Sequence, residues 1–128
     1  MKKRGKILRD GYGGPGIVMI EVADGESRNL IYRVVGERAI RVRGYDPTGM
    51  TVEKAAYGGP VPNILANYGV VIDLRIPLYG WSQSPEGTSG KRVVRGNLLL
   101  PLSSDGQRVD WVLGYVEDTA AYDWAWAR

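Results

Sequence analysis

Hydrophobic and polar positions alternate with period two over several short stretches of this chain, and the stretches come in two groups. The clearest is NLLLPLSSDGQRVDWVLGYVED, residues 97–118: an apolar strand, a polar turn around Asp105-Gly106, and a second, alternating strand. Val109, Trp111, Leu113 and Tyr115 share one face at period two, so this is the face expected to be covered in an antiparallel sheet. Near the other end, IVMIEV (17–22) and NLIYRVVG (29–36) flank an Asp-Gly turn in ADGES (23–27) and predict a hairpin.

Between the groups the period changes. Residues 36–56 show short helical patches broken by Gly44, Pro47 and Gly49, with Ala39, Ile40 and Val42 as an apolar stripe. VPNILANYG (61–69) predicts a third short helix ending at Gly69, and VVIDLRIPLYG (70–80) returns to strand character. WSQSPEGTSGK (81–91), rich in Ser, Gly and Pro, reads as a loop between strands. Strands over 92–102 and 108–117 complete the series. Two strands, a run of short helices and three more strands predict an α+β fold, one antiparallel sheet with small helices on one face.

No internal repeat or domain boundary is visible. At 128 residues, one domain with its own core is expected. The divisions are a basic, glycine-rich segment (1–16), the folded body (17–119) and an aromatic tail (120–128).

Charge changes the picture less than its total suggests. The chain carries 17 basic and 14 acidic residues, but the first ten hold five basic groups against Asp10. The remaining 118 residues hold 12 basic and 13 acidic groups, a net of −1. The basicity is terminal, which argues against a nucleic-acid footprint over the body. GYGGPG (11–16) has the letters of a dinucleotide-binding loop but lacks the preceding strand and following helix, so a connector is the better reading. No apolar run is long enough to span a bilayer, no export signal is visible and cysteine is absent, so a cytoplasmic location is expected.

Two stretches carry a resemblance to a known family. YRVVG (32–36) followed by GYDPTG (44–49) is similar to the YR-x-x-G…G-x-D-x-T-G pattern of a PAS-like family found mainly in alphaproteobacteria. LPLSSDGQRVDWVLG (100–114) is similar to that family's LPLS-x-DG-x-x-VD-x-x-LG run. The resemblance spans roughly residues 17–117. It implies a five-stranded antiparallel PAS sheet enclosing a small cavity under short helices, in a sensory or regulatory module of bacterial signal transduction. It also implies a lean to homodimers and to protein partners. The 81–91 loop and the short segment 1–16 depart from the common family pattern.

Absent residues bound the chemistry. With no histidine there is no axial ligand for haem, and with no cysteine there is no flavin adduct or thiol-linked chromophore. Ser-His-Asp and Cys-His catalysis lack members, and zinc would be left with carboxylates alone. No cofactor is therefore predicted, although a flavin held without cysteine chemistry stays open, as does an unidentified small-molecule ligand. For such a ligand the candidate residues are Tyr32, Arg33, Arg41, Tyr45, Tyr68, Trp111 and Tyr115, which supply phenols, an indole and guanidinium forks. Tyr122, Trp124 and Trp126 in the tail are candidates for a partner interface. Carboxylates at Asp105, Asp110, Glu117 and Asp118 read as solvated surface. The expected function is binding of a small molecule or a protein partner without catalysis. Two alternatives are a nucleic-acid-binding sheet with exposed aromatics and a small enzyme using tyrosine and carboxylates.

Overall fold

The computed structural model describes residues 16–23, 29–56, 59–85 and 92–119. Segments 1–15 and 120–128, and with them the tail residues Tyr122, Trp124 and Trp126, lie outside the described residues, as does most of the ADGES turn. The strands are β1 (Ile17–Val22), β2 (Leu30–Val35), β3 (Leu78–Pro85), β4 (Arg92–Leu102) and β5 (Trp111–Thr119). The helices are α1 (Glu37–Arg43), α2 (Val52–Ala55) and α3 (Val61–Leu74), all between β2 and β3.

The strands form one antiparallel sheet in the order β2-β1-β5-β4-β3. First and last strands therefore lie side by side, Ile20 opposite Val112 and Val18 opposite Gly114. One sheet face is covered. It presents Val18, Ile20 and Val22 from β1, Leu30 and Tyr32 from β2, Leu99 from β4 and Val112 from β5, packed with Ala39, Val52, Ala55, Tyr68, Val71 and Ile72 from the helices. Ile20, Leu30, Val52, Val71 and Val112 are fully buried, each contributing roughly 1.5–3 kcal/mol of transfer free energy.

The covered face of β5 is not the one that the alternation predicted. Val112 and Gly114 point inward, whereas Trp111 and Leu113 are half-buried and Tyr115 is exposed on the opposite face. Val109 is buried, but it precedes the strand. The reason is Gly114, where a Cβ would stand 2.8 Å from Val18 Cγ2 and 3.5 Å from Leu99 Cδ2. The inner position of β5 is kept small because its neighbours fill the space. A face carrying a glycine reads as the weaker hydrophobic face in sequence.

The third helix runs past Gly69 to Leu74, so residues 70–74 are helical rather than extended. A glycine within a helix costs only about 1 kcal/mol, and Val71 and Ile72, one turn beyond Tyr68, bury fully enough to offset it. The helix stops at Arg75, which takes the left-handed conformation at φ 59° just before Ile76 and Pro77. The expected loop over 81–91 is also partly strand. The β3–β4 ladder continues in register from Trp81 opposite Gly96 to Pro85 opposite Arg92.

The GYDPTG stretch forms a tight turn docked on β2. Gly44 ends α1 in the left-handed conformation (φ 81°), and Gly49 repeats it (φ 88°), both positions that disfavour a Cβ. Asp46 Oδ1 accepts from the Thr48 backbone N–H at 3.0 Å and its hydroxyl at 2.6 Å. Gly49 N–H donates to the Tyr32 carbonyl, and Tyr32 N–H to the Met50 carbonyl, fastening the turn to the strand.

Candidate functional site

Between the covered sheet face and helices α1 and α3 lies a cavity of about 450 Å³, within the range of small-molecule pockets. Its apolar wall is built from Val18, Ala39, Ile64, Leu78 and Leu99. Its polar groups come from three elements: Tyr32 on β2, Arg38 and Arg43 on α1, and Asn63, Asn67 and Tyr68 on α3. Asn97, Tyr79 and Trp81 on the β3–β4 hairpin complete the rim. Among the described residues none of the lining side chains is a carboxylate.

Helical spacing explains the polar set. Ala39 and Arg43 are four apart on α1 and share a face, with Arg38 beside them. Asn63 and Asn67 are likewise four apart on α3, with Tyr68 next to Asn67.

Arg43 is the organising side chain. Its Nη2 donates to the Tyr32 hydroxyl at 2.8 Å, its Nε to the Ala55 carbonyl at 3.1 Å and its Nη1 to the Ala39 carbonyl at 3.2 Å. One guanidinium thus joins the ends of α1 and α2 to β2. Its carbon lies 5.1 Å from the centroid of the Tyr32 ring, within the distance at which a cation gains from an aromatic ring. Burial raises the Tyr32 phenol above its ordinary pKa, with Arg43 opposing the shift. Burial raises Tyr68 further, reinforced by the neighbouring Tyr32. Both phenols consequently keep their protons at neutral pH.

The residues singled out from sequence divide cleanly by location. Tyr32 and Tyr68 line the cavity, 3% and 7% exposed. Arg33 points away and forms an exposed ion pair with Glu21 at 2.8 Å. Arg41 is exposed on the outer side of α1, and Tyr45 is exposed in the turn after it. Trp111 and Tyr115 stand on the other face of the sheet, as the register of β5 requires. Arg33, Arg41, Tyr45, Trp111 and Tyr115 are therefore not among the lining residues. Arg38, Arg43, Asn63 and Asn67 were missed. The 3.6 period held the signal for Arg43: taking Ala39 as inward puts Arg43 inward and Arg41 opposite.

Among the described residues no group of three or more His, Cys, Asp or Glu side chains could hold a metal ion, and no helix is long and apolar enough to cross a membrane. Asp105 and Asp110 serve the β4–β5 connection. Asp105 accepts from the backbone N–H groups of Gln107 and Arg108 and from the Ser103 hydroxyl, which hold its carboxyl at about 2. Asp110 accepts from the Ser104 hydroxyl and backbone N–H.

No protein-family model and no curated protein matches the sequence. Solved structures do match the fold. The PAS domain of BvgS from Bordetella pertussis aligns with a TM-score of 0.57 at 11% identity, over 93% of this chain and 85% of that one. The LOV protein of Rhodobacter sphaeroides aligns with a TM-score of 0.56 at 12% identity, over 94% and 69% of the respective chains. The LOV domain of a blue-light-activated histidine kinase from Erythrobacter litoralis gives 0.53 at 15% identity, over 82% and 95%. At such identities the likeness speaks for architecture: a five-stranded antiparallel sheet with short helices on one face, the fold shared by PAS and LOV domains.

Proposed function

We propose that this chain is a PAS-like sensory or regulatory module of bacterial signal transduction, acting in the cytoplasm by binding rather than by catalysis. The observation that carries the reading is the cavity of about 450 Å³ under α1 and α3, walled by aliphatic side chains and furnished with oriented phenols, amides and guanidinium groups. That composition suits a small molecule held by a few directed polar contacts. The fold neighbours support a sensory role, since one of them belongs to a light-activated histidine kinase.

Occupancy of the cavity would act by favouring one placement of α1 and α3 against the sheet over another. Arg43 is the natural relay, because it lines the cavity from α1 and bonds to β2 at Tyr32 and to α2 at Ala55. Tyr32 and Tyr68 are proposed as ligand contacts. Arg33, Arg41, Tyr45, Trp111 and Tyr115 are proposed instead as surface available to a protein partner. The aromatic tail, with Tyr122, Trp124 and Trp126, is proposed as a contact in a homodimer or with a signalling protein. The chain has neither the histidine of a haem ligand nor the cysteine of a flavin adduct, so the proposed ligand is bound without either linkage.

Native mass spectrometry of freshly purified, untagged protein tests the reading. A discrete extra mass retained on the native chain and lost on denaturation supports it, and the same spectrum reports the number of subunits. Chains that carry no retained mass, and gain none from cell extract, count against a small-molecule sensor. One observation favours a second reading as a nucleic-acid-binding sheet: Trp111 and Tyr115 stand on the open face. That reading requires binding to single strands that weakens steeply with salt.

A further inference from the structure

The sensory reading leaves the class of ligand open, and the hydrogen-bond inventory of the cavity narrows it. Tyr68 is 93% buried, at 7% exposure, and lines the cavity. Among the described residues none accepts its hydroxyl proton or donates to its oxygen. The Tyr32 hydroxyl accepts from Arg43, yet its own proton also meets no acceptor among the described residues. Buried hydroxyls without partners are uncommon, and each costs about 1–3 kcal/mol when left unmet. Here two of them converge on one space. Both remain protonated at neutral pH, so both are donors.

Around these two protons the lining is rich in further donors. Arg38, 7% exposed, and Arg43 place positive charge at the wall, each held by protein contacts of its own. Asn63 and Asn67 add amide groups to the lining, and among the described residues no lining side chain is a carboxylate. Among the described residues the protons of the two phenols have no acceptor, and a ligand in the cavity would bring one to each. Resting on the reading of this chain as a ligand-binding module, we infer that the cavity binds a small carboxylic acid as its anion, with the carboxylate facing Tyr32 and Tyr68 and an apolar body against Val18, Ile64 and Leu99. A carboxylate offers several lone-pair sites in one plane, enough for two phenol protons, and its charge suits a wall that carries two guanidinium groups. A phosphate would bring more charge and more hydration into a space with an apolar wall, which disfavours it.

Isothermal titration calorimetry and thermal shift on the full chain test this with hexanoate, benzoate, phenylacetate and 3-phenylpropanoate, each beside its primary amide. At least one acid is expected to bind saturably and about tenfold or more tighter than its amide, the difference a charge-assisted hydrogen bond supplies. Tyr68→Phe, which keeps the ring and removes the hydroxyl, is expected to reduce that preference to about threefold or less. Tyr32→Phe serves as the second variant, and circular dichroism establishes that each is folded. An amide that binds as tightly as its acid, or a preference unchanged by both substitutions, overturns the inference while leaving a ligand-binding cavity. Absence of saturable binding by every acid also overturns it. The sensory reading is then judged separately, on the mass retained in native spectra.

Discussion

The guanidinium of Arg43 and the hydroxyl of Tyr32 meet at 2.8 Å across the top of the cavity, joining the last residue of α1 to the inward face of β2. The same side chain also satisfies the carbonyls of Ala39 and Ala55, so one residue sets how two short helices lie on the sheet. Neither helix is long enough to be stable by itself. Their placement depends on such contacts.

Tyr32→Phe removes the acceptor and leaves the ring in place. It is expected to destabilise the fold by about 1–2 kcal/mol, and Arg43→Ala by about 2–3 kcal/mol, because the larger truncation also takes the donor from the Ala55 carbonyl at the end of α2. Urea denaturation followed by circular dichroism measures both. A loss under about 0.3 kcal/mol for Arg43→Ala would show that the three bonds do not anchor the helices.

Gly114→Ala tests the close approach of β5 to β1. The added Cβ would lie 2.8 Å from Val18 Cγ2, and a β-branched side chain on a strand has little rotational freedom to retreat. A loss of about 1–3 kcal/mol is expected, together with a smaller cavity. Gly106→Ala, on the solvent-exposed turn at φ 78°, separates backbone strain from crowding. If Gly114→Ala proves neutral in denaturant melts, the inner face of β5 is less tightly packed than the distances state.

At Gly69 the opposite sign is expected. Apart from its chain neighbours and the backbone of its own helix, no described heavy atom lies within 4 Å of the position a Cβ would take, and the backbone is helical. Gly69→Ala is therefore expected to stabilise by about 0.5–1 kcal/mol, raising the thermal midpoint. Destabilisation would place residues 70–74 outside the helix.

Acid should weaken the β4–β5 connection. The Asp105 carboxyl titrates at about 2 in the folded chain against an ordinary 3.8, and Asp46 and Asp110 are lowered as well by their hydrogen bonds to Thr48 and Ser104. A depressed folded value means that the stabilisation is complete above about 4 and is lost as the pH falls toward 2. In Asp105→Ala the fall in stability between those values is expected to be shallower than in the parent. Parallel pH profiles from denaturant melts would rule out the role given to Asp105.

How much of this was legible before folding depends on the range of the interactions. Asp46 with Gly49, Asp105 with Gly106 and the strand patterns act within a few residues, and they appear in sequence where they appear in the structure. The end of α3 was not legible, because Val70, Val71 and Ile72 suit a strand as well as a helix. Burial of Val71 and Ile72 beside Tyr68 decided between them. The candidate site was half legible. Tyr32 and Tyr68 stand out as large polar aromatics beside the helical run, whereas Arg43 competes with Arg33, Arg38 and Arg41, which are chemically the same.

The sequence by itself determined the architecture: local turn chemistry, periodicity and the order of elements lead to one antiparallel sheet with short helices between its second and third strands. The absence of histidine and cysteine bounded the chemistry in the same way. Only the tertiary structure decided which face of β5 is covered, where α3 ends, and which arginines look inward. The first and last depend on contacts between separate elements, Val18 with Gly114 and Tyr32 with Arg43, and the end of α3 on the burial of Val71 and Ile72 in the core. Local pattern carries no information about what fills the space opposite a side chain.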